Sequence, residues 1–189
     1  MVKITAILEV LKALFKPVTT DYPKGPPTHV PPGIRGLPQF DEDKCIGCGA
    51  CMTSCTSGAI DVIDQGANRT VDVSYMRCLF CGRCEEICPE EGGIVLSDKF
   101  ELATTNKAEA HVTIKLKLTK CKSCGAPITA TKQLERIKER ILGKTDPKIP
   151  EEITRDLPKY LELCFECRKK QSYALDIHTR KFYLRRWET

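Results

Sequence analysis

Residues 45–55 read CIGCGACMTSC, and residues 78–88 read CLFCGRCEEIC. Both stretches have the spacing C-x2-C-x2-C-x3-C, and the second copy begins 33 residues after the first. Thiols grouped this closely suit a shared metal centre better than an ordinary apolar core. A pattern of this length that occurs twice predicts one domain built from two similar halves.

The metal centre that fits this spacing is a 4Fe–4S cluster, which is held by four cysteine thiolates. One run supplies three of them before the chain must turn away, so the fourth has to come from elsewhere. We predict two such clusters, with the eight cysteines of the two runs as ligands: Cys45, Cys48, Cys51, Cys55, Cys78, Cys81, Cys84 and Cys88. Two zinc sites in the same cysteines are the alternative, but two complete runs are typical of clusters.

A disulfide scaffold is a second alternative for a chain with 12 cysteines in 189 residues. We find no secretory signal sequence, and thiols in adjacent groups suit metal ligation better than pairing. We therefore expect a reducing compartment. No apolar run approaches the roughly 20 residues of a membrane-spanning helix, so we expect the chain to be soluble or peripheral.

The remaining cysteines form a separate pattern, C-x2-C followed after 39 residues by a second C-x2-C. These four thiols are Cys121, Cys124, Cys164 and Cys167. Such a set is typical of a tetrahedral mononuclear site. We predict one zinc ion in a zinc-ribbon-like module, with a rubredoxin-like iron as the alternative and a third cluster or free thiols as further possibilities.

Residues 3–16 have the spacing of an amphipathic helix with one apolar stripe. The stripe consists of Ile4, Ile7, Leu8, Leu11, Leu14 and Phe15. From Pro17 to Pro38 the chain contains seven prolines, which predicts an extended arm. We expect this helix and arm to anchor the chain to a surface outside its own core, either a partner protein or a membrane interface.

We predict an α+β fold with three parts. Residues 1–40 form the helix and arm, residues 41–105 form a ferredoxin-like two-cluster domain, and residues 106–189 form the four-cysteine module. Strands are predicted at 59–63 and 93–96, and apolar residues alternate with polar ones from Val112 to Leu118 as in a half-buried strand. A helix with Leu134, Ile137 and Ile141 on one face is predicted to end near Gly143.

The formal net charge of +5 is unevenly distributed. Residues 1–40 carry +3, residues 41–103 carry −7 and the remainder carries +9. Two oxidised clusters and one divalent metal, each with four thiolates, would bring the total to about −1. Because no basic stripe is interleaved with aromatic residues, we expect no nucleic-acid partner.

The paired runs resemble those of two-cluster bacterial ferredoxins, in which the fourth cysteine of each run ligates the other cluster. This resemblance implies one cluster on Cys45, Cys48, Cys51 and Cys88 and the other on Cys55, Cys78, Cys81 and Cys84. Thr56 occupies the place that Pro89 has after the second run, which we expect to affect tuning and not ligation.

With the amphipathic helix, the arm from Tyr22 to Gly36 and the stretch from Phe100 to Ala103, residues 1–105 resemble the two-cluster subunit of respiratory complex I. The C-terminal cysteines and the stretch from Lys132 to Leu134 are similar to the corresponding subunit of formate hydrogenlyase and related membrane-bound NiFe hydrogenases.

This resemblance implies an electron-transfer subunit and not a catalytic one. Its implied partners are neighbouring iron–sulfur and catalytic subunits, a soluble ferredoxin as donor or acceptor, and a membrane arm or bilayer at the cytoplasmic face. A free soluble ferredoxin with a metal-stapled tail is the alternative, but it would not need the exposed apolar helix. A nucleic-acid-binding zinc-ribbon protein is the third possibility.

Overall fold

The computed structural model describes residues 4–15, 22, 25, 29–144, 157, 158 and 160–171. The helices are α1 (Ile4–Phe15), α2 (Ala50–Ser54), α3 (Arg83–Glu86), α4 (Thr131–Lys144) and α5 (Phe165–Lys170), with a 3-10 turn at Lys107–Ala110. The strands are β1 (Pro38–Phe40), β2 (Ile60–Gln65), β3 (Asn68–Ser74), β4 (Ile94–Leu96), β5 (His111–Lys120) and β6 (Pro127–Ala130). The predicted mixture of helix and sheet is confirmed.

The strands form two antiparallel sheets. β1 pairs with β4, so that Pro38 lies opposite Leu96 and the chain before the first cysteine run is joined to the chain after the second. The larger sheet has the order β2-β3-β5-β6. Gly66, with φ +60°, lies in the short turn between β2 and β3, where a left-handed conformation suits glycine.

The strands predicted at 59–63 and 93–96 correspond to β2 and β4. The alternation after His111 is confirmed as well, because Ile114, Leu116 and Leu118 are buried while Thr113, Lys115 and Lys117 are exposed. Strand β3 is an addition that we did not predict. Its residues alternate from Thr70 to Val73, so the signal was present but lay between the more prominent cysteine runs.

Strand β5 extends the sheet of the two-cluster region. It pairs with β3 from His111 to Lys117, and it contributes Ile114 and Leu116 to a buried cluster. The other members of this cluster are Ile60, Val71, Val73, Ile94 and Ala130. The division at residue 105 stays a prediction, but β5 shares one sheet and one core with the strands on the other side of it.

Helix α1 buries none of its residues against the described part of the chain. Its apolar side chains are largely exposed, from 48% for Leu11 to 85% for Phe15. Residues 3 and 16 and part of the predicted arm, residues 17–21, 23, 24 and 26–28, lie outside the described residues. Within the described residues, no helix is both long enough and apolar enough to cross a membrane.

The shared core makes a prediction about β5. Ile114→Ala should destabilise the folded chain by about 2–5 kcal/mol, because it leaves a cavity in the cluster that also contains Ile60 and Val71. Lys115→Ala is the matched control, since this neighbour is exposed, and it should change stability by less than about 0.5 kcal/mol. Both effects can be measured as the thermal midpoint of unfolding and as the rate at which the clusters lose their visible absorbance. Equal behaviour of the two variants would contradict a shared core.

Candidate metal centres

Two cavities are lined by the cysteines of the two runs. The first cavity is lined by Cys45, Cys48, Cys51 and Cys88, and the second by Cys55, Cys78, Cys81 and Cys84. Each cavity therefore takes three thiols from one run and one from the other. All twelve cysteines are free, so no disulfide competes for these thiols.

Two short helices distribute the thiols between the cavities. Helix α2 carries Cys51 towards the first cavity and is followed by Cys55, which lines the second. Helix α3 contains Cys84, which lines the second cavity, and is followed by Cys88, which lines the first. The last two cysteines of each run are thus separated by about one helical turn, and they line different cavities.

Glycines allow the loops of the two cysteine runs to pack closely against neighbouring parts of the chain. Gly49 and Gly82 precede α2 and α3 in the left-handed conformation, with φ of 77° and 82°. Gly47 has φ of 68°, and a Cβ placed on it would lie 2.5 Å from Leu116 Cδ1. The loop of the first cysteine run therefore packs directly against β5, with no space for a side chain at residue 47.

The buried thiols are poor acids when no metal is bound. Burial raises the pKa of Cys51 to about 12 and that of Cys84 to about 11. Burial also raises the pKa of Cys45 and Cys78, with the neighbouring thiols adding to the effect. Since metal ligands must be thiolates, loading the first and second cavities displaces protons from these residues and is favoured by rising pH.

Cys55 is the exception among these thiols. Burial raises its pKa, but hydrogen bonds from Ser57 and from backbone N–H groups outweigh burial and lower the net value. The backbone N–H of Ala59 donates to Cys55 Sγ over 3.3 Å. The chain therefore offers hydrogen bonds to sulfur at this position, which stabilises the thiolate form.

The residues present fit 4Fe–4S clusters. Each cavity presents four sulfur donors within walls that are otherwise mainly apolar, and four thiolates are the ligand set such clusters take. A bound 4Fe–4S cluster supplies one-electron redox chemistry. The chain's own contribution is to aim the thiols, to exclude water with residues such as Val71 and Val73, and to direct N–H groups at the sulfurs.

The four C-terminal cysteines also converge. The Sγ atoms of Cys121, Cys124, Cys164 and Cys167 lie within 4.8 Å of one another. Strand β5 delivers the first of them, and the N–H of Gly125 donates to the carbonyl of Cys121 over 2.9 Å to close the turn. The N-terminus of α5 supplies the second pair. Four thiolates in this arrangement can hold one metal ion, and the structure brings the four predicted residues together.

The thiols of this group differ in acidity. A hydrogen bond from the backbone N–H of Cys164, 3.3 Å from Cys121 Sγ, is the main cause that lowers the pKa of Cys121 to about 6. For Cys167, a hydrogen bond with Ser123 lowers the pKa, but hydrogen bonds with Cys124 and Cys164 outweigh it and raise the pKa to about 12. The hydrogen bond therefore favours the thiolate form of Cys121, which is the form that binds a metal.

Two arginines that we did not single out from the sequence hold the cysteine loops. Arg69 pairs with Asp64 over 2.7 Å and donates to the carbonyl of Gly47 over 2.9 Å. Arg35 donates to the carbonyl of Cys81 over 3.1 Å. The sequence separations of 22 and 46 residues explain why no local pattern indicates these bonds.

Comparison with known proteins agrees with this geometry. The model of the 4Fe–4S dicluster domain family matches residues 39–96, which include all eight cysteines of the two runs. NADH-quinone oxidoreductase subunit I 2 of Geobacter metallireducens is 37% identical in an alignment of 119 positions that covers 57% of this chain and 88% of that protein. Formate hydrogenlyase subunit 6 of Escherichia coli is 30% identical over 154 residues, which are 81% of this chain and 82% of that protein.

The chain belongs to this family of two-cluster iron–sulfur subunits. It is an electron-transfer subunit, and these relatives do not favour a free soluble ferredoxin. The alignment with the Escherichia coli subunit covers 81% of this chain, so it extends well beyond residues 39–96.

Among solved structures, a chain of the membrane-bound sulfane sulfur reductase, an archaeal respiratory membrane complex, is 32% identical, with 54% of this chain and 56% of that chain covered. The TM-score of 0.37 is too low to establish a shared overall arrangement.

The tight packing of the first cysteine loop can be tested with two glycine variants. Gly47→Ala should lower thermal stability and iron content, because the new Cβ meets Leu116 in addition to the cost of about 1–2 kcal/mol for a left-handed alanine. Gly58→Ala is the matched control, with φ of 59° and no atom within 4 Å of an added Cβ. It should incur only the backbone cost. Thermal unfolding and iron analysis of both variants measure the difference, and equal losses would contradict the steric argument.

Proposed function

We propose that this subunit passes electrons between a soluble low-potential donor, such as a ferredoxin, and the next cluster of a NiFe hydrogenase-like or complex I-like catalytic module. The observation that carries the proposal is the pair of neighbouring four-thiol cavities, which gives two redox centres in sequence within one small domain. The names of the two relatives support a place in a larger oxidoreductase complex, since both proteins are named as subunits.

We propose crossed ligation for the two clusters. One cluster is bound by Cys45, Cys48, Cys51 and Cys88, and the other by Cys55, Cys78, Cys81 and Cys84. The grouping of the same residues around the first and second cavities supports this assignment. All-thiolate ligation, without the histidines that raise the potential of Rieske centres, supports low potentials, on the order of −400 mV.

For the four C-terminal thiols we propose one zinc ion with a structural role. A tetrahedral zinc ion with Zn–S bonds of about 2.3 Å places its sulfur ligands about 3.8 Å apart, compatible with the observed grouping. All four positions of the metal would be taken by cysteine, which is typical of closed structural sites. Metal analysis of the purified chain distinguishes zinc from the alternative, a mononuclear iron.

We further propose that helix α1 anchors the subunit to its complex at the cytoplasmic face of the membrane. The exposed apolar stripe of α1 supports this role, because no described residue of the chain covers it. Burying four of its large side chains against a neighbouring subunit or a membrane arm would contribute about 6 kcal/mol or more before the cost of association.

Serine variants test the crossed ligation. Cys55→Ser should remove the EPR signal that Cys78→Ser also removes, and Cys88→Ser should remove the signal that Cys45→Ser removes, because each pair lines one cavity. The parent chain should contain about eight cluster iron atoms and show spin coupling between two reduced clusters. If Cys55→Ser instead matches Cys45→Ser, the ligation is local to each run. Four iron atoms or fewer in the fully loaded parent would contradict two clusters.

Removal of residues 1–16 tests the anchor. The truncated subunit should be released from its complex or membrane while both clusters remain assembled, since α1 does not contact the cavities. Washed membranes probed for the subunit, together with its visible absorbance, measure the two properties. Leu8→Glu with Leu11→Glu should reproduce the release, whereas Lys12→Glu, a charge change on the same helix, should not. Retention of the truncated subunit, or loss of its clusters, would show that our assignment of α1 is wrong.

A further inference from the structure

Helix α4 contacts the chain immediately before the first cysteine run. The ammonium group of Lys132 donates to the carbonyl of Glu42 over 2.5 Å and to that of Asp43 over 3.4 Å. These carbonyls lie three and two residues, respectively, before Cys45, the first thiol of the first cavity.

The same helix contacts the chain immediately after the second run. Arg140 Nη2 donates to the carbonyl of Pro89 over 2.7 Å, and Pro89 follows Cys88, the fourth thiol of the first cavity. Cys88 Sγ in turn lies 3.0 Å from the carbonyl oxygen of Glu90. One helix therefore fixes both of the segments that bring Cys45 and Cys88 together.

The Glu90 carboxylate is the central charged group of this contact. Arg136 Nε lies 3.0 Å from Oε1 and Arg136 Nη2 lies 3.0 Å from Oε2, a bidentate pair. Arg140 Nη2 lies 2.7 Å from Oε1. The Glu90 side chain is only 11% exposed. A carboxylate so far removed from water requires such partners, and here it has two guanidinium groups.

The position of Glu90 gives this ion triad a redox consequence. Glu90 lines the first cavity, two residues from the thiol of Cys88. A fixed negative charge beside a redox centre disfavours the addition of an electron, and paired cations cancel that effect. Arg83 lines the second cavity, but it pairs with Glu86 on the exposed surface, where water screens both charges.

We propose that Arg136 and Arg140 are positioning residues for the first cavity, which neutralise Glu90, hold the Cys88 loop and thereby raise the reduction potential of the cluster bound there. The inference rests on the proposed ligation of a cluster by Cys45, Cys48, Cys51 and Cys88. It assigns a role to α4, which lies outside the part of the chain that the dicluster family model matches.

A redox titration of the full-length, cluster-loaded chain, monitored by EPR, tests this role. In Arg136→Gln/Arg140→Gln the signal of the first cavity, identified as the signal lost in Cys88→Ser, should shift to lower potential. We expect about a tenfold change in the ratio of reduced to oxidised cluster at a fixed potential, which is about 59 mV for a one-electron couple. Glu90→Gln should shift the same signal to higher potential. The triple variant, which lacks all three charges, should return towards the parent value.

Lys138→Gln is the matched control, because it removes a positive charge from the exposed surface of the same helix without altering a contact to Glu90. It should leave both signals unchanged. The inference would be overturned if Lys138→Gln shifted the first-cavity signal as much as the double arginine variant does. It would also be overturned if the double arginine variant shifted both cluster signals equally, or if it left the first-cavity signal unchanged. If the double arginine variant does not retain the first cluster, Glu90→Gln decides: a rise in potential supports the inference, and an unchanged potential overturns it.

Iron content separates this inference from the proposed function. A parent chain with four iron atoms or fewer would contradict the proposed two-cluster function. A fully loaded chain whose first-cavity signal does not respond to Glu90, Arg136 or Arg140 would contradict only the role of α4.

Discussion

The exchange of one thiol between the two cysteine runs is the constraint on which the rest of this structure depends. Each cavity has three thiols from one run and one from the other, so neither half of the repeat encloses its cavity alone. The crossing occurs within the single turns α2 and α3. The two turns must then lie side by side, which the β2-β3 hairpin between the runs and the β1-β4 pair outside them accomplish.

The C-terminal half of the described chain reinforces this arrangement from two directions. Strand β5 closes one side by pairing along β3, and Leu116 fills the space that Gly47 leaves. Helix α4 closes another side through Lys132, Arg136 and Arg140, which reach the segments flanking the first cavity. The second cavity has no such cover from α4, and its Cys81 is exposed. The two redox centres therefore differ in their surroundings although the cysteine runs are alike.

The cysteine spacing predicted much of the site, because ligand geometry leaves few arrangements for a repeated C-x2-C-x2-C-x3-C run. The alternation in β5 also predicted which of its side chains are buried, since the side-chain period of a strand is two. What the sequence could not indicate is where β5 would pair. Its partner β3 lies about 40 residues earlier, and antiparallel pairing over that distance has no local signature.

The contacts of α4 could not be predicted from the sequence for the same reason. Arg136 and Arg140 lie 46 and 50 residues from Glu90, and on a helix with many charges they resemble solvated surface residues. The sequence predicted an apolar face with Leu134, Ile137 and Ile141. In the structure Leu134 and Ile141 are half-buried, whereas Ile137 is exposed. The sequence did not show which carboxylate the charges of the helix would meet. Charge pairs become specific only once the fold has brought the segments together.

Helices α1 and α4 are both amphipathic and similar in length, but they differ in what contacts their side chains. Helix α4 combines half-buried apolar residues with cations that find a nearly buried carboxylate and backbone carbonyls of the acidic two-cluster region. Helix α1 has a richer apolar stripe, but its described ion pair, between Glu9 and Lys12, is internal and exposed. Apolar surface gains free energy only by removal from water, and no described residue removes it here. The charged side chains of α4 therefore bind this helix to the two-cluster region of its own chain. The apolar face of α1 remains available for a surface outside the described residues.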